Sequence, residues 1–147
     1  YYFKSKEDVF ATILEDGWAK IWESLEPVIA DQTTPRQTFV NLLIKIAENA
    51  QNRPGLFAFL FNAPKAIKME HQPWKDYQYR LYGVIQGLLE DGITAGEFPK
   101  IDPELMFKAL GGLFMGLVFM GDRSQPVSDK EVEALLNQLI TDPHINN

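Results

Sequence analysis

The apolar residues of this chain recur at helical spacing along almost its whole length, which restricts the chain to an all-α fold. Between Val9 and Leu25, successive apolar positions are one, three or four residues apart, as on a helix with a single apolar face. A strand needs a sustained period of two, and no segment shows one. We therefore expect a helical bundle of about six helices.

Capping residues, prolines and glycines mark where these helices begin and end. Ser5 is expected to be the N-cap of the first helix, with Asp8 at the capping-box position. Pro27 is expected to kink or end that helix, and Pro64 to end a short apolar helix over residues 56–61. The other boundaries are expected at 33–35, 52–55, 72–73, 92–96, 102–104 and 128–131.

The composition is that of one folded, acidic domain without thiol chemistry. The chain has 147 residues, of which 46% are hydrophobic, and it has no cysteine, which excludes disulfides and thiolate sites. A net charge of -6 makes it a poor candidate for binding nucleic acid over its whole surface. The sequence shows neither a membrane-spanning apolar run nor a signal peptide. We expect a cytoplasmic protein with no membrane partner.

No motif for catalysis, a metal or a cofactor is present. The two histidines, His71 and His144, share no metal-ligand spacing. The chain lacks HExxH, GxSxG, GxxxxGK[ST] and GxGxxG motifs. Its paired acids, at 15–16 and 90–91, are accounted for as solvated helix ends. We expect no enzyme activity, no catalytic residue, no metal site and no cofactor.

The last two helices are expected to form a dimer interface. Residues 105–120 are apolar on nearly every side, so this helix either lies at the centre of a monomer or also packs against a second copy. The dimer is favoured, because Gly112 and Gly116 lie on one side and permit close approach. Two helices from each subunit then form a four-helix bundle across a twofold axis. The expected interface residues are Leu105, Gly112, Leu113, Gly116, Met120, Val132, Leu135, Leu136 and Leu139.

The middle of the chain carries aromatic residues on three or four different helices, and residues 56–61 are all apolar, more than one helix face needs. A well-filled core accounts for each such residue taken singly. The functional interpretation is an apolar cavity between helices that binds a hydrophobic or planar small molecule. Its expected lining is Phe39, Leu43, Phe57, Leu60, Phe61, Trp74, Tyr77, Leu81, Phe107 and Phe114.

The first ten residues resemble a family signature. They run from Tyr1 to Phe10 as an aromatic pair, a phenylalanine, a basic residue, a serine, a lysine, two acids and two apolar residues. This pattern resembles the end of the recognition helix and the start of the fourth helix in TetR/AcrR-type transcriptional regulators. The turn over residues 92–98 looks like the loop before the last two helices in that family.

The resemblance implies a division of the chain and a function. Residues 1–5 are then a remnant of a helix-turn-helix DNA-binding domain, and residues 6–147 an effector-binding and dimerisation domain. Tyr1, Tyr2 and Lys6 are the implied DNA contacts, and a lysine at a helix N-terminus suits a phosphate, whereas Phe3 is expected to pack against the head domain. The implied mechanism is that of a repressor. A hydrophobic effector tilts the first helix and releases operator DNA.

Two alternatives stay open at this stage. The first is a helical ligand-binding or adaptor module that has a pocket and a dimer interface but no DNA role. The second is a cofactor-independent enzyme in a helical bundle, for which an acid such as Glu70 would be the candidate. The gene sequence upstream of Tyr1 separates the first alternative from the regulator.

Overall fold

Six α-helices make up nearly all of the residues that this computed structural model describes, which are 5–66, 72, 74–120, 125 and 128–139. No strand occurs in these ranges, so the expected all-α fold with about six helices is confirmed. The helices are α1 (Lys6–Ala30), α2 (Pro35–Asn52), α3 (Pro54–Ala66), α4 (Lys75–Thr94), α5 (Pro103–Met120) and α6 (Asp129–Leu139).

Side-chain caps fix several of the predicted helix starts. The Ser5 hydroxyl accepts a hydrogen bond from the Asp8 backbone N–H at 3.2 Å, as the sequence predicts. The Ser128 and Glu131 pair forms a complete capping box. The Glu131 N–H donates to the Ser128 hydroxyl at 3.2 Å, and the Ser128 N–H donates to the Glu131 carboxylate at 2.9 Å. These local bonds satisfy N–H groups that a helix start otherwise leaves without a partner.

The structure corrects the expectation at three prolines. α1 continues past Pro27 to Ala30, and the Asp31 N–H still donates to the Pro27 carbonyl at 3.1 Å. α3 likewise continues past Pro64 to Ala66. A proline removes one backbone donor and crowds the carbonyl four residues before it, and both helices accommodate this without ending there. α4 begins at Lys75, three residues after the predicted start at Gln72, and Pro73 lies outside the described residues.

α2 is the central helix of the bundle, because it packs against each of the other five helices. Its buried residues cover about half of the helix circumference rather than one narrow stripe. α5, which the sequence offered as a possible central helix, instead lies against α4 and α2 with one side open. The buried residues of α2 are Thr38, Phe39, Val40, Leu42, Leu43, Ile46, Ala47 and Ala50.

The turn between α4 and α5 depends on two glycines, in the region where the sequence predicts the end of α4. Gly96 has a φ of 74°, which glycine adopts without a Cβ penalty. The N–H groups of Glu97 and Phe98 both donate to the Gly92 carbonyl, at 2.8 and 3.2 Å. Phe98 is thereby folded back over Gly92 and packs edge-on against Phe39, with ring centroids 6.0 Å apart.

Candidate functional site

Helices α2 to α5 surround a cavity of about 700 Å³. This volume lies within the range of small-molecule sites, roughly 300–1,000 Å³. The helices around it are in contact, since α4 and α5 pack against each other and both pack against α2. Its apolar walls are formed by Phe39, Leu43, Ile46, Phe57, Leu81, Ile85, Phe107, Leu110 and Met115, with Tyr82, Gly111 and Gly112 towards the outside.

The aromatic residues of the cavity fall into an inner and an outer group. Phe39 and Phe57 are buried and form the inner wall. Phe107 is partly buried and Tyr82 is 36% exposed, and their rings meet edge to face with centroids 5.3 Å apart. Partial burial raises the pKa of the Tyr82 hydroxyl, and the nearby Tyr79 raises this pKa further. Tyr82 therefore stays neutral at pH 7 and can donate a hydrogen bond at the outer wall.

Among the described residues, the polar part of the lining contains amides and lysines and no carboxylate. Lys108 pairs with the Glu104 carboxylate at 2.9 Å, one turn away on α5, and this hydrogen bond raises the pKa of Lys108. Lys75 forms no ion pair with any residue that the structure describes. The polar lining residues are Asn62, Gln72, Lys75, Gln78 and Lys108.

Five of the ten residues predicted for the pocket line this cavity: Phe39, Leu43, Phe57, Leu81 and Phe107. Leu60 and Trp74 are fully buried but lie away from its wall, and the partly buried Tyr77 does not line it either. The side chains of Phe61 and Phe114 lie outside the described ones. The sequence reasoning missed the polar lining, although the spacing of Gln72, Lys75 and Gln78 by three residues offered a signal for it.

A second, smaller pocket of about 220 Å³ lies where α1 meets α2 and α3. Leu60 belongs to this pocket, and Phe57 borders both cavities. A Cβ atom on Gly17 would lie 2.8 Å from a methyl group of Leu60, so the bare glycine lets α1 approach α3 closely. The whole lining is Gly17, Lys20, Ile21, Asn49, Asn52, Arg53, Leu56, Phe57 and Leu60.

The outer face of α5 is apolar and open in the single chain. Leu105, Leu113 and Met120 are 66%, 44% and 88% exposed. Gly112 and Gly116 lie along the same side of the helix, and no heavy atom is within 4 Å of a Cβ placed on Gly112. A contiguous apolar surface of this kind commonly marks an interface. These five residues are the α5 part of the predicted dimer interface, although Gly112 also borders the large cavity.

α6 occupies a different position from the one that the predicted bundle requires. In the described part of the chain it packs against α2 and not against α5. Arg36 of α2 binds the Glu133 carboxylate at 3.2 Å and the Asn137 amide oxygen at 2.8 Å. Val132 and Leu136, predicted for the dimer interface, are 1% and 0% exposed and belong to the core of the chain itself. Leu135 is partly buried, and the Leu139 side chain is not described.

The remaining predicted contacts concern DNA, metals and membranes. Tyr1 and Tyr2 lie outside the described residues, whereas Lys6 is the exposed first residue of α1, with its ammonium group 5.7 Å from the centre of the Phe10 ring. The described side chains include no group of three histidines or acids that could hold a metal ion. None of the described helices combines the length and apolarity needed to cross a membrane.

Comparison with known proteins identifies a shared fold. No protein-family model matches the chain. A Bacillus subtilis protein described as the uncharacterized HTH-type transcriptional regulator YhgD is 26% identical over 143 residues, which is 94% of this chain and 73% of that protein. The TetR family regulator PfmR from Thermus thermophilus superposes with a TM-score of 0.73 and 17% identity, over 93% of this chain and 75% of that one.

A TetR/AcrR family regulator from Thermobifida fusca superposes comparably, with a TM-score of 0.71 and 22% identity, over 95% of this chain and 74% of that one. The chain therefore has the fold of TetR-family transcriptional regulators. The TetR-type fold that the resemblance of the first ten residues implies is thus confirmed. Fold alone does not determine what a cavity binds, so the function has to be argued from the site itself.

Proposed function

We propose that this chain is the effector-binding and dimerisation part of a DNA-binding transcriptional regulator that acts as a repressor. The observation that carries the proposal is the cavity of about 700 Å³ in a fold shared with TetR-family regulators. A DNA role is supported by the Bacillus subtilis relative, which is described as an HTH-type transcriptional regulator. In this proposal residues 1–5 belong to the DNA-binding domain, and residues 6–147 bind the effector and the second subunit.

The proposed signal passes from the cavity to α1 through two sets of contacts. Phe57 of the cavity wall belongs to α3, whose Phe59 stacks on Phe10 of α1 with ring centroids 5.7 Å apart. From α4, the Arg80 guanidinium lies over the Trp22 ring of α1 at 4.2 Å from its centre. An effector that alters the spacing of α3 and α4 therefore also alters the surface against which α1 packs.

The proposed release from DNA is a shift between two populations of α1 orientation. Such a shift requires that the effector bind the DNA-incompetent state more tightly than the competent one. Operator half-sites lie at a fixed spacing, so a change in the separation of two head domains weakens their simultaneous binding. In this scheme Lys6, at the start of α1, contacts a phosphate and moves with the helix.

The proposed dimer uses the open apolar face of α5, and replacing Leu113 with glutamate tests it. A charge at a desolvated interface is costly, so we expect the Leu113→Glu variant to sediment as a monomer at concentrations where the parent chain is a dimer. Ile13→Glu is the matched control, because Ile13 on α1 is 40% exposed against 44% for Leu113. An Ile13→Glu monomer together with a Leu113→Glu dimer would move the interface away from α5.

The regulator proposal is tested with the whole protein encoded by the gene and with DNA flanking that gene. Sequence-selective binding with a steep dependence on salt is expected of the whole protein, because phosphate contacts release counterions. The 147-residue chain alone is the control and should not bind selectively. An absence of selective binding at every salt concentration, with no effector present, would instead favour the helical adaptor without a DNA role.

A further inference from the structure

The described residues that line the large cavity carry charges of one sign. Lys75 and Lys108 are among them, and no described aspartate or glutamate is. The whole chain carries 20 acids and only 14 lysines and arginines, so a random sample of its charged residues would be mostly acidic. The described polar lining therefore consists of cationic and amide side chains. These are the groups that a polar part of a ligand would contact.

The two lysines differ in how far their charge is already neutralised. The Glu104 carboxylate holds Lys108 at 2.9 Å. Lys75 has no such partner among the described residues, so its charge is available to a ligand. Gln72 and Gln78, three residues to either side of Lys75, also line the cavity. Lys75 and Gln78 at the start of α4, and Gln72 just before it, thus contribute one ammonium group and two amides to the lining.

Another part of the lining is apolar and buried. Phe39 and Phe57 are 1% and 2% exposed, and they form the inner wall together with Leu43 and Ile46. A ligand that fills the cavity therefore meets hydrocarbon and aromatic surface along its body. Tyr82 adds one neutral hydroxyl on the outer wall.

We propose that the effector of this cavity is an apolar molecule carrying one anionic group, which binds Lys75 at the start of α4 while the apolar body lies against Phe39 and Phe57. The inference rests on the proposed function, in which this cavity is the effector site. A cationic ligand would face Lys75, and the described part of the lining has no carboxylate to pair with it. A purely apolar ligand would make no use of the exposed Lys75 ammonium group.

Two pairs of isosteric probes isolate the charge: decanoate against decanamide, and 2-naphthoate against 2-naphthamide. The probes are titrated calorimetrically into the 147-residue chain at pH 7. Within at least one pair we expect the carboxylate to bind about 5-fold more tightly than the amide. This is the difference in affinity that one exposed ion pair typically contributes. The preference should shrink at high salt.

Substitutions at Lys75 locate the preference. The Lys75→Gln variant should bind the carboxylate about 5-fold more weakly and the amide unchanged, and Lys75→Glu should prefer the amide. Lys100→Gln is the matched control, because Lys100 is an exposed lysine that lines neither cavity. Ile85→Trp, which places extra volume in the cavity wall, should weaken all the probes that bind.

The possible failures are distinguishable. Equal affinity for carboxylate and amide, lost in Ile85→Trp, overturns the anionic effector but leaves the cavity as the effector site. A carboxylate preference that survives Lys75→Gln overturns the role of Lys75. Binding unaffected by Ile85→Trp, or no binding by any of the four probes, overturns the inference and removes the cavity's support for the proposed function.

Discussion

Replacing Gly92 with alanine is expected to destabilise the chain by about 2 kcal/mol, within the range seen when extra carbon is forced into a packed core. A Cβ at this position would lie 2.4 Å from one ring carbon of Phe98 and 2.6 Å from another. The ring has little room to move, because Phe98 is 1% exposed and packs against Phe39. The backbone bonds from Glu97 and Phe98 to the Gly92 carbonyl also hold the turn in place.

Gly87→Ala in the same helix is the control for Gly92→Ala. No atom lies within 4 Å of a Cβ placed on Gly87, so this variant should gain up to about 1 kcal/mol from helix propensity alone. The two free energies of unfolding, measured by urea titration, should therefore change in opposite directions. Equal stability of the two variants would show that Phe98 yields to the added methyl group.

Replacing Phe39 with alanine is expected to lower the free energy of unfolding by about 3–5 kcal/mol, the cost typical of a large buried aromatic residue. Phe39 is 1% exposed on the central helix α2, and its ring packs edge-on against Phe98 at 6.0 Å. It also forms part of the wall of the large cavity, so its loss enlarges that cavity as well as removing core contacts.

Tyr79→Ala is the control for Phe39→Ala, since it also removes an aromatic ring but from a side chain that is 64% exposed. Its effect on stability should stay within about 0.5 kcal/mol. Urea unfolding of both variants gives the comparison. If the free energy of unfolding of Phe39→Ala fell by less than about 1 kcal/mol, the neighbouring side chains would have to move into the space that the ring leaves.

The parts of the fold that depend on local hydrogen bonds could be predicted from the sequence. Ser5 with Asp8, and Ser128 with Glu131, stand at fixed short separations, and each pair forms its bonds without help from the rest of the chain. Pro27 shows the limit of this reasoning. The effect of a proline depends on how much helix follows it, and α1 ends only three residues later.

The packing partner of a helix could not be predicted in the same way. The apolar stripe of α6 indicates that one face is buried, but the stripe is the same whether that face meets α2, α5 or a second subunit. The choice of α2 involves Arg36, whose partners Glu133 and Asn137 lie about a hundred residues further along the chain, with separations of 97 and 101. No periodicity within α6 encodes that pairing.

The same limit applies to the candidate site, where only the placements that follow from a single helix could be predicted. Phe39 and Leu43 share one helix face, so their common placement on the cavity wall follows from helical geometry. Trp74 is as apolar as they are, yet it is buried away from the wall. Lys75 resembles any surface lysine in the sequence. Its place at the cavity follows only from how α4 lies across α2, which is a tertiary property.

The length of α1 converts small movements near the core into larger ones at its start. The helix has 25 residues, its six buried residues all lie from Leu14 onwards, and Lys6, Glu7 and Asp8 at its start are exposed. At about 1.5 Å per residue, Lys6 is roughly 28 Å from Leu25, whereas Gly17 is roughly 12 Å from it. A rotation of about 5° around Leu25 thus shifts Gly17 by about 1 Å and Lys6 by about 2.5 Å. Repacking beside Leu60 by less than the length of one carbon–carbon bond is enough to displace the exposed end of α1 by slightly more than the radius of the helix backbone.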